Sequence, residues 1–426
     1  MKIAIVEPNA HLAGHYSAEL YDFCRFLVPH VEHIDIITPF GFKENLGEVS
    51  SPPKADQLQR SPSRPMANCK VHALLNERKI RPDRHEMNHK PYGFQWEFYK
   101  RAAGLFSLLR PDIVHVWGYK SVFPLWYFLR KKKVKSKIVM TLKAVKRAHF
   151  PVLGLRVLGA LQGEFSYRFL KKFADCYVVH TDELRDQAAE IGIENTKLKV
   201  IPTGIHEHHS LLTKEESRCR LKIPLGLGLP SDAFLLLLFG ALREEKGICE
   251  ILEHAKTLPE NVYLYLVGED WTHDGISSLV KSHEVETKVV LHLHYIPEKE
   301  MELYFRASDA VIISHQPEFV GESGVLLRAM EYGIPVIAAN HGYSGRVVRS
   351  GNIPKGSSIG VTFDLNSAAS FNEAVLELMK RVQPKADQSL AEKKKNSAMC
   401  DGIAKFKAQH NWEEIIQLYL GVYERI

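Results

Sequence analysis

The stretch DAVIISHQPEFVGESGVLLRAMEYGIPVIAANHGYSGR, from Asp309 to Arg346, decides how the chain is read. A β-rich run, Ala310 to Ser314, gives way to the polar loop Pro317 to Ser323. Gly324 then opens an apolar helix, and Gly333-Ile334-Pro335 stops it before a second strand, Val336 to Ala339. A helix that starts on a loop and a glycine offers free backbone N–H groups and the positive end of its dipole, which together suit an anion. The same unit also serves as plain scaffold in α/β proteins that bind nothing there, so function has to come from the residues around it.

The same grammar runs outward in both directions. Lys2 to Glu7 reads as a buried strand, and the loop Pro8 to Gly14 leads into a helix from about Tyr16 with Leu20, Phe23, Cys24 and Leu27 on one face. His33 to Pro39 is a second strand, whereas residues 43–92 are polar, carry Pro, Ser and Arg patches and read as a long insertion or loop. A helix around Gln95 to Leu109 precedes the strand in Arg110 to Gly118. The basic run Leu129 to Lys137 leads to strand Ile138 to Leu142, and strands Asp175 to His180 and Lys197 to Ile201 bracket a helix from Asp182. Residues 206–232 read as a connector.

Beyond it, strands at Phe234 to Phe239, Val262 to Val267 and Val289 to His294 are followed by a helix at Glu298 to Ala307. After Arg346 come Gly360-Val361, a helix from about Ser367 to Arg381, a charged segment at 385–396 and a closing helix, Trp412 to Arg425. Strand–helix alternation in both halves predicts an α/β fold of two doubly wound domains, 1–205 closed by 411–426, and 206–410. His115 lies inside a strand and reads as a core histidine, and the spacing of Trp412, Tyr419 and Tyr423 reads as helix packing.

Composition narrows the function classes. The 426 residues are 45% hydrophobic with a net charge of +6, enough for two cores and mildly suited to anionic ligands or an anionic surface. No basic helix with interleaved aromatics of a nucleic-acid reader occurs, and no nucleic-acid partner is expected. The cysteines at 24, 69, 176, 219, 249 and 400 form no CxxC pair and read as free thiols in a reducing, cytoplasmic setting. The chain enters a strand at once, without a signal-peptide pattern, and no run of about 18 apolar residues spans a membrane. Residues 143–173 interleave Lys and Arg with Leu, Val and Phe. That pattern is compatible with peripheral docking on the anionic inner face of a membrane, and equally with a helix packed on the sheet under snorkelling cations. His206, His208 and His209 have only Glu207 beside them and no cysteine, so no metal site is expected. Gly226 and Gly228 precede a strand and lack a third glycine, which argues against a dinucleotide fingerprint.

Several phrases carry a resemblance. Val325-Leu326-Leu327-Arg328-Ala329-Met330-Glu331-Tyr332-Gly333-Ile334-Pro335-Val336 is similar to the V-L-L-E-A-M-x-x-G-x-P-V run of the GT-B glycosyltransferases, above all the retaining family 4. Gly240-Ala241-Leu242-Arg243-Glu244-Glu245-Lys246-Gly247 resembles its G-R-L-x-x-E-K-G phrase, and Val267-Gly268-Glu269-Asp270 its V-G-x-G/D phrase. Pro111-Asp112-Ile113-Val114-His115 and Ile201-Pro202-Thr203-Gly204-Ile205 resemble phrases of its N-terminal domain, and the closing helix resembles the one that crosses back onto that domain.

The resemblance implies two Rossmann-like domains facing across a cleft and a metal-independent hexosyltransferase. Such an enzyme uses a nucleotide diphosphate sugar as co-substrate, with no cofactor, and a glycan or lipid-linked acceptor in polysaccharide or glycoconjugate synthesis. It implies donor contacts at Gly240, Gly268, Tyr295, Ile296, Ser323, Gly324, Val325, Leu326 and Arg328, and acceptor-side positions at Gly14, His15, Gly118, Tyr119 and Lys143. Arg243 and Lys246 are expected to hold the leaving diphosphate, where negative charge grows in the transition state; the other reading is a charged turn with internal Arg–Glu pairing.

The chain departs from the pattern at three places. Arg328 stands where the family's second glutamate accepts ribose hydroxyls; it can donate to them, bind an extra anion, or pair with Glu331 or Glu322. Counting back from Arg328 to the first glutamate's place reaches Val320; of the nearby acids Glu318 and Glu322, Glu322 is taken as the sugar contact. Lys143 replaces a histidine. These departures keep open a non-catalytic binding subunit, and the two Rossmann-like halves an oxidoreductase.

Overall fold

A computed structural model describes residues 1–8, 15–39, 68–75, 92–117, 122–143, 145, 170–205, 212–223, 229–230, 232–319, 321–350, 358–382 and 390–426. The expectations for Gly14, Gly118, Tyr119 and the three histidines at 206–209, and nearly all of those for 143–173, lie outside these residues. Thirteen strands among them form two parallel sheets in two compact units, 1–204 with 412–426 and 205–411.

In the first unit β1 (Lys2–Val6), β2 (His33–Thr38), β3 (Cys69–Ala73), β4 (Ile113–Val116), β5 (Lys137–Leu142), β6 (Cys176–Val179) and β7 (Leu198–Val200) are ordered 3-2-1-4-5-6-7. The helices are α1 (His15–Leu27), α2 (Tyr92–Leu109), α3 (Val122–Lys131) and α4 (Asp182–Glu190). Strands β1, β4 and β6 are short, apolar and almost wholly buried, as expected where helices cover both faces of a parallel sheet. The face of α1 bearing Leu20, Phe23, Cys24 and Leu27 is fully buried.

The second unit contains β8 (Phe234–Phe239), β9 (Val262–Val267), β10 (Val289–His292), β11 (Ala310–Ile313), β12 (Val336–Ala339) and β13 (Gly360–Phe363), ordered 10-9-8-11-12-13. Its helices are α5 (Lys214–Arg220), α6 (Ile248–Ala255), α7 (Ile276–Ser282), α8 (Glu298–Ala307), α9 (Gly324–Tyr332), α10 (Gly342–Ser350), α11 (Ala368–Val382) and α12 (Leu390–Gln409). The chain then returns to the first unit as α13 (Trp412–Arg425). Trp412, Tyr419 and Tyr423 join the core there, and a Cβ on Gly204 would lie 2.3 Å from the Trp412 ring. His115 is a core histidine: Tyr423 Oη is 2.6 Å from its Nδ1 and Thr141 Oγ1 is 2.9 Å from its Nε2.

The fold corrects the sequence reading in four places. The supposed insertion holds β3, an edge strand that pairs with β2 from Ile34–Cys69 to Thr38–Ala73. The connector holds α5, which has almost no apolar face but carries a capping box: Thr213 Oγ1 accepts from Glu216 N, and Glu216 accepts from Thr213 N. Gly342 to Arg346 begins α10. The charged segment runs into α12, whose buried face is Met399, Ile403 and Phe406.

Asp309 ties α5 to the second sheet. Its buried carboxylate accepts from Arg218 Nη2 at 2.8 Å and Leu235 N at 2.8 Å, and pairs with Lys214. Arg218 also donates to Ala307 O at 2.9 Å and Ala233 O at 3.0 Å. Removing one member of a buried, hydrogen-bonded ion pair leaves the other unpaired. Asp309→Ala is therefore expected to cost about 3 kcal/mol of stability, read from the urea unfolding of the full chain.

Candidate functional site

Between β8 and β11 the strand order of the second sheet reverses, so the loops leaving their carboxyl ends diverge and open a crevice. Two glycines let the backbone pass closely at its floor. Gly268, at φ +138°, sits where a Cβ would lie 2.0 Å from the Gly240 carbonyl oxygen, and Gly240 itself has φ +93°.

The loop after β8 closes through a single 3₁₀ turn, Glu244–Lys246, that points Lys246 inward. Lys246 is only 8% exposed, and its Nζ donates to the Phe239 carbonyl at 2.5 Å. No carboxylate among the described residues lies within ion-pair distance of it. Burial, and then the neighbouring Arg243, lower its ammonium to about 7. Arg243 pairs with Glu245 at 3.1 Å, so the internal Arg–Glu pairing considered from the sequence is present, but its Nε is buried without a partner.

On the other side of the crevice Ser323 caps α9, its Oγ accepting from Leu326 N at 3.4 Å. The Leu326 amide is thus engaged by the cap, while those of Gly324 and Val325 make no hydrogen bonds among the described residues. The two sides converge, because a Cβ on Gly240 would lie 3.3 Å from Lys246 Nζ and 4.0 Å from Val325 Cγ2. Lys246, Ser314, His315 and Val325 line one void of about 10 Å³ there. The crevice thus gathers a buried amine, a guanidinium and two free amides, a set that binds anions.

The acids differ sharply. Glu318 is exposed, whereas the Glu322 carboxylate is nearly buried and accepts from Tyr343 Oη at 3.1 Å. His410 Nε2 is 3.9 Å away, but burial pushes that imidazole down to about 4, so it is a neutral neighbour. Arg328 donates to Glu331 at 2.6 Å and pairs with Glu298 at the start of α8. Burial works against its charge, but Glu331 and then Glu298 outweigh it and hold the guanidinium above its ordinary range. Of the loop after β10, Ile296 packs into the core at 3% exposure and presents no side chain to a ligand, while Tyr295 is half-buried.

In the first unit His15 begins α1. Lys143 follows β5 and donates to Glu19 at 2.7 Å, with its Nζ 5.5 Å from the centre of the Trp117 ring. One crevice residue carried no sequence signal: His315, a lone histidine after β11, is identifiable only once the sheet places it beside Lys246.

Two family models divide the chain: "Glycosyltransferase Family 4" matches residues 51–209 and "Glycosyl transferases group 1" matches residues 221–397. A D-inositol 3-phosphate glycosyltransferase of Xylanimonas cellulosilytica is 25% identical over 172 residues, which span 39% of this chain and 40% of that protein. Among solved structures, Anabaena HepE in complex with UDP-glucose superposes with a TM-score of 0.66 at 16% identity, covering 100% of both chains. Sucrose-phosphate synthase from Thermosynechococcus elongatus gives 0.65 at 17% identity, covering 100% of this chain and 98% of that one. WaaG, a glycosyltransferase of lipopolysaccharide biosynthesis, gives 0.64 at 14% identity and 99% of each chain. With both halves of the sequence matched and the fold shared along its whole length, the chain belongs to the GT-B glycosyltransferases of the family 4, group 1 kind.

Proposed function

We propose that this glycosyltransferase moves a hexosyl group from a nucleoside diphosphate sugar to a glycan or lipid-linked acceptor, with retention of configuration and without a required metal. The observation that carries the reading is the buried Lys246 amine beside the amides of Gly324 and Val325, the amine without a carboxylate partner and the amides without hydrogen bonds among the described residues. As the sugar leaves, charge builds on the diphosphate. Lys246, Arg243 and the amides then bind the transition state more strongly than the ground state, supplying positive charge that a metal would otherwise supply. Glu322, held by Tyr343, is the group assigned to the sugar. The complex of HepE with UDP-glucose supports a donor of this chemical class.

Calorimetric titration with UDP, GDP and ADP tests the site. Arg243→Ala and Lys246→Ala are each expected to weaken the best-binding diphosphate by about tenfold or more, since a hydrogen bond to a charged group is worth about 1.5–3 kcal/mol. Unchanged affinity in both would displace the site. Sugar transfer, read as release of that diphosphate with acceptor present, should fall with it.

Affinity should also depend on pH, with a definite sign. The unliganded amine loses its proton near 7, and the diphosphate needs it charged, so affinity falls as pH rises. Between pH 7 and 8 the charged fraction drops from about one half to about one tenth, a weakening of about fivefold. Lys246→Arg, charged throughout, should flatten the profile.

Arg328 gives a third expectation. Restoring the family's glutamate by Arg328→Glu would crowd three carboxylates where the guanidinium now holds Glu298 and Glu331. The substitution should destabilise the protein by about 3 kcal/mol or more rather than raise activity, as thermal unfolding would show.

A further inference from the structure

His315 lies on the same crevice but belongs to no motif. Strands β8 and β11 run in register, with Ala310 beside Leu236 and Val311 beside Leu237. His315 therefore leaves the sheet beside the turn that carries Gly240 and Lys246. Its position is held from two sides: the ring stacks on Phe319 at 4.0 Å between centroids and 14° between planes, and its carbonyl accepts from His341 Nε2 at 2.7 Å. Burial, followed by Lys246, Arg243 and His341, pushes the imidazole down to about 3, so it is neutral at physiological pH.

His315 is half-buried, and its hydrogen bonding differs from that of the buried His180, His254 and His410, each of which leaves one ring nitrogen unpaired but bonds the other. His180 is bonded to the carbonyl of Ile201, His254 to that of Leu365 and His410 to that of Phe406. The ring of His315 makes no hydrogen bond to any described residue, and its Nδ1 is buried without a partner. A buried, unpaired polar group costs about 1–3 kcal/mol, so a fixed ring in this state is poised for a partner that the described residues do not supply. His315, Lys246 and Ser314 form the polar side of a void of about 10 Å³ whose other walls are apolar side chains, Phe239 and Val325 among them; it has room for about one water-sized atom.

We propose that His315 is a further ligand of the donor diphosphate: its Nδ1–H and the Lys246 ammonium together hold one phosphoryl oxygen, which occupies the void that both residues line. The proposal rests on the donor site assigned above. A neutral donor suits the place, because it adds a directed hydrogen bond without adding a third cation to repel Lys246 and Arg243.

The test is titration of the full chain with inorganic pyrophosphate and with the best-binding nucleoside diphosphate, using H315N, H315Q and H315F. Asparagine offers an N–H near the Nδ1 position, glutamine offers it near Nε2, and phenylalanine keeps the stack on Phe319 with no N–H at all. H315F and H315Q are expected to lose about tenfold or more in affinity for both probes, and H315N to stay within about threefold of the unsubstituted chain. Binding of the corresponding nucleoside, which lacks phosphate, should be unchanged in all three.

H315Q or H315F binding pyrophosphate as tightly as the unsubstituted chain would overturn the assignment. So would H315N losing as much as H315Q, which marks a packing role, or pyrophosphate failing to bind the unsubstituted chain. If Arg243→Ala and Lys246→Ala are silent too, the donor site itself is misplaced; if they weaken binding while the His315 series does not, only the role of His315 falls.

Discussion

A lysine amine buried without a carboxylate is costly, and the crevice of the second unit is organised around one. The drop of the Lys246 ammonium from 10.5 to about 7 corresponds to roughly 5 kcal/mol against its charged form. A structural lysine would be relieved of that cost by a nearby acid, as Lys214 is by Asp309. Among the described residues Lys246 has a hydrogen bond to the Phe239 carbonyl and no paired acid, the charge of Glu245 offsetting its burial only in part. In the proposed donor site an incoming anion supplies the countercharge, and the same desolvation that penalises the free amine strengthens its attraction to the anion.

The backbone makes this possible at one place in the sheet. The strand order reverses between β8 and β11, so no crossover helix fills the space above their carboxyl ends. Gly268 lets β9 end against the Gly240 carbonyl, and Gly247, with φ +64°, turns the chain from Lys246 into α6 under the Ser314 carbonyl. At the start of α9, Ser323 takes the third amide of the turn and leaves the first two. Lys246, Arg243 and these amides come from segments about 80 residues apart in sequence, and sheet topology alone brings them together.

Much of this was legible in the residues. Phe234–Phe239, Glu298–Ala307, Gly324–Tyr332 and Trp412–Arg425 are long or strongly patterned, and the ends of the first three carry glycine, proline or serine signals that the structure uses as expected. The elements that escaped are those whose stability comes from elsewhere. Strand β3 is a half-exposed edge held by pairing with β2, and α5 is a polar helix held by its capping box and by Asp309. In α12 a run of lysines hides an apolar face of three residues.

The site divides in the same way. Arg243, Lys246 and the loop into α9 sit in recognisable phrases. Arg328 has one partner that local spacing identifies, Glu331, and a second, Glu298, 30 positions away on another helix, which it could not. His315 is a single histidine in a polar loop, and the shielding of its Nδ1 depends on Phe319, His341 and Lys246 assembling around it.

The claim that a neutral-leaning buried amine becomes charged when it meets the diphosphate has a direct readout in protons. Calorimetric titration at pH 8 with the best-binding of UDP, GDP and ADP, repeated in buffers of different ionisation enthalpy, counts the protons taken up on binding. The account predicts an uptake of about one proton per diphosphate, abolished in Lys246→Arg, because about nine-tenths of the free amine is neutral at that pH. Uptake near zero in the unsubstituted protein, with the diphosphate bound, would contradict it.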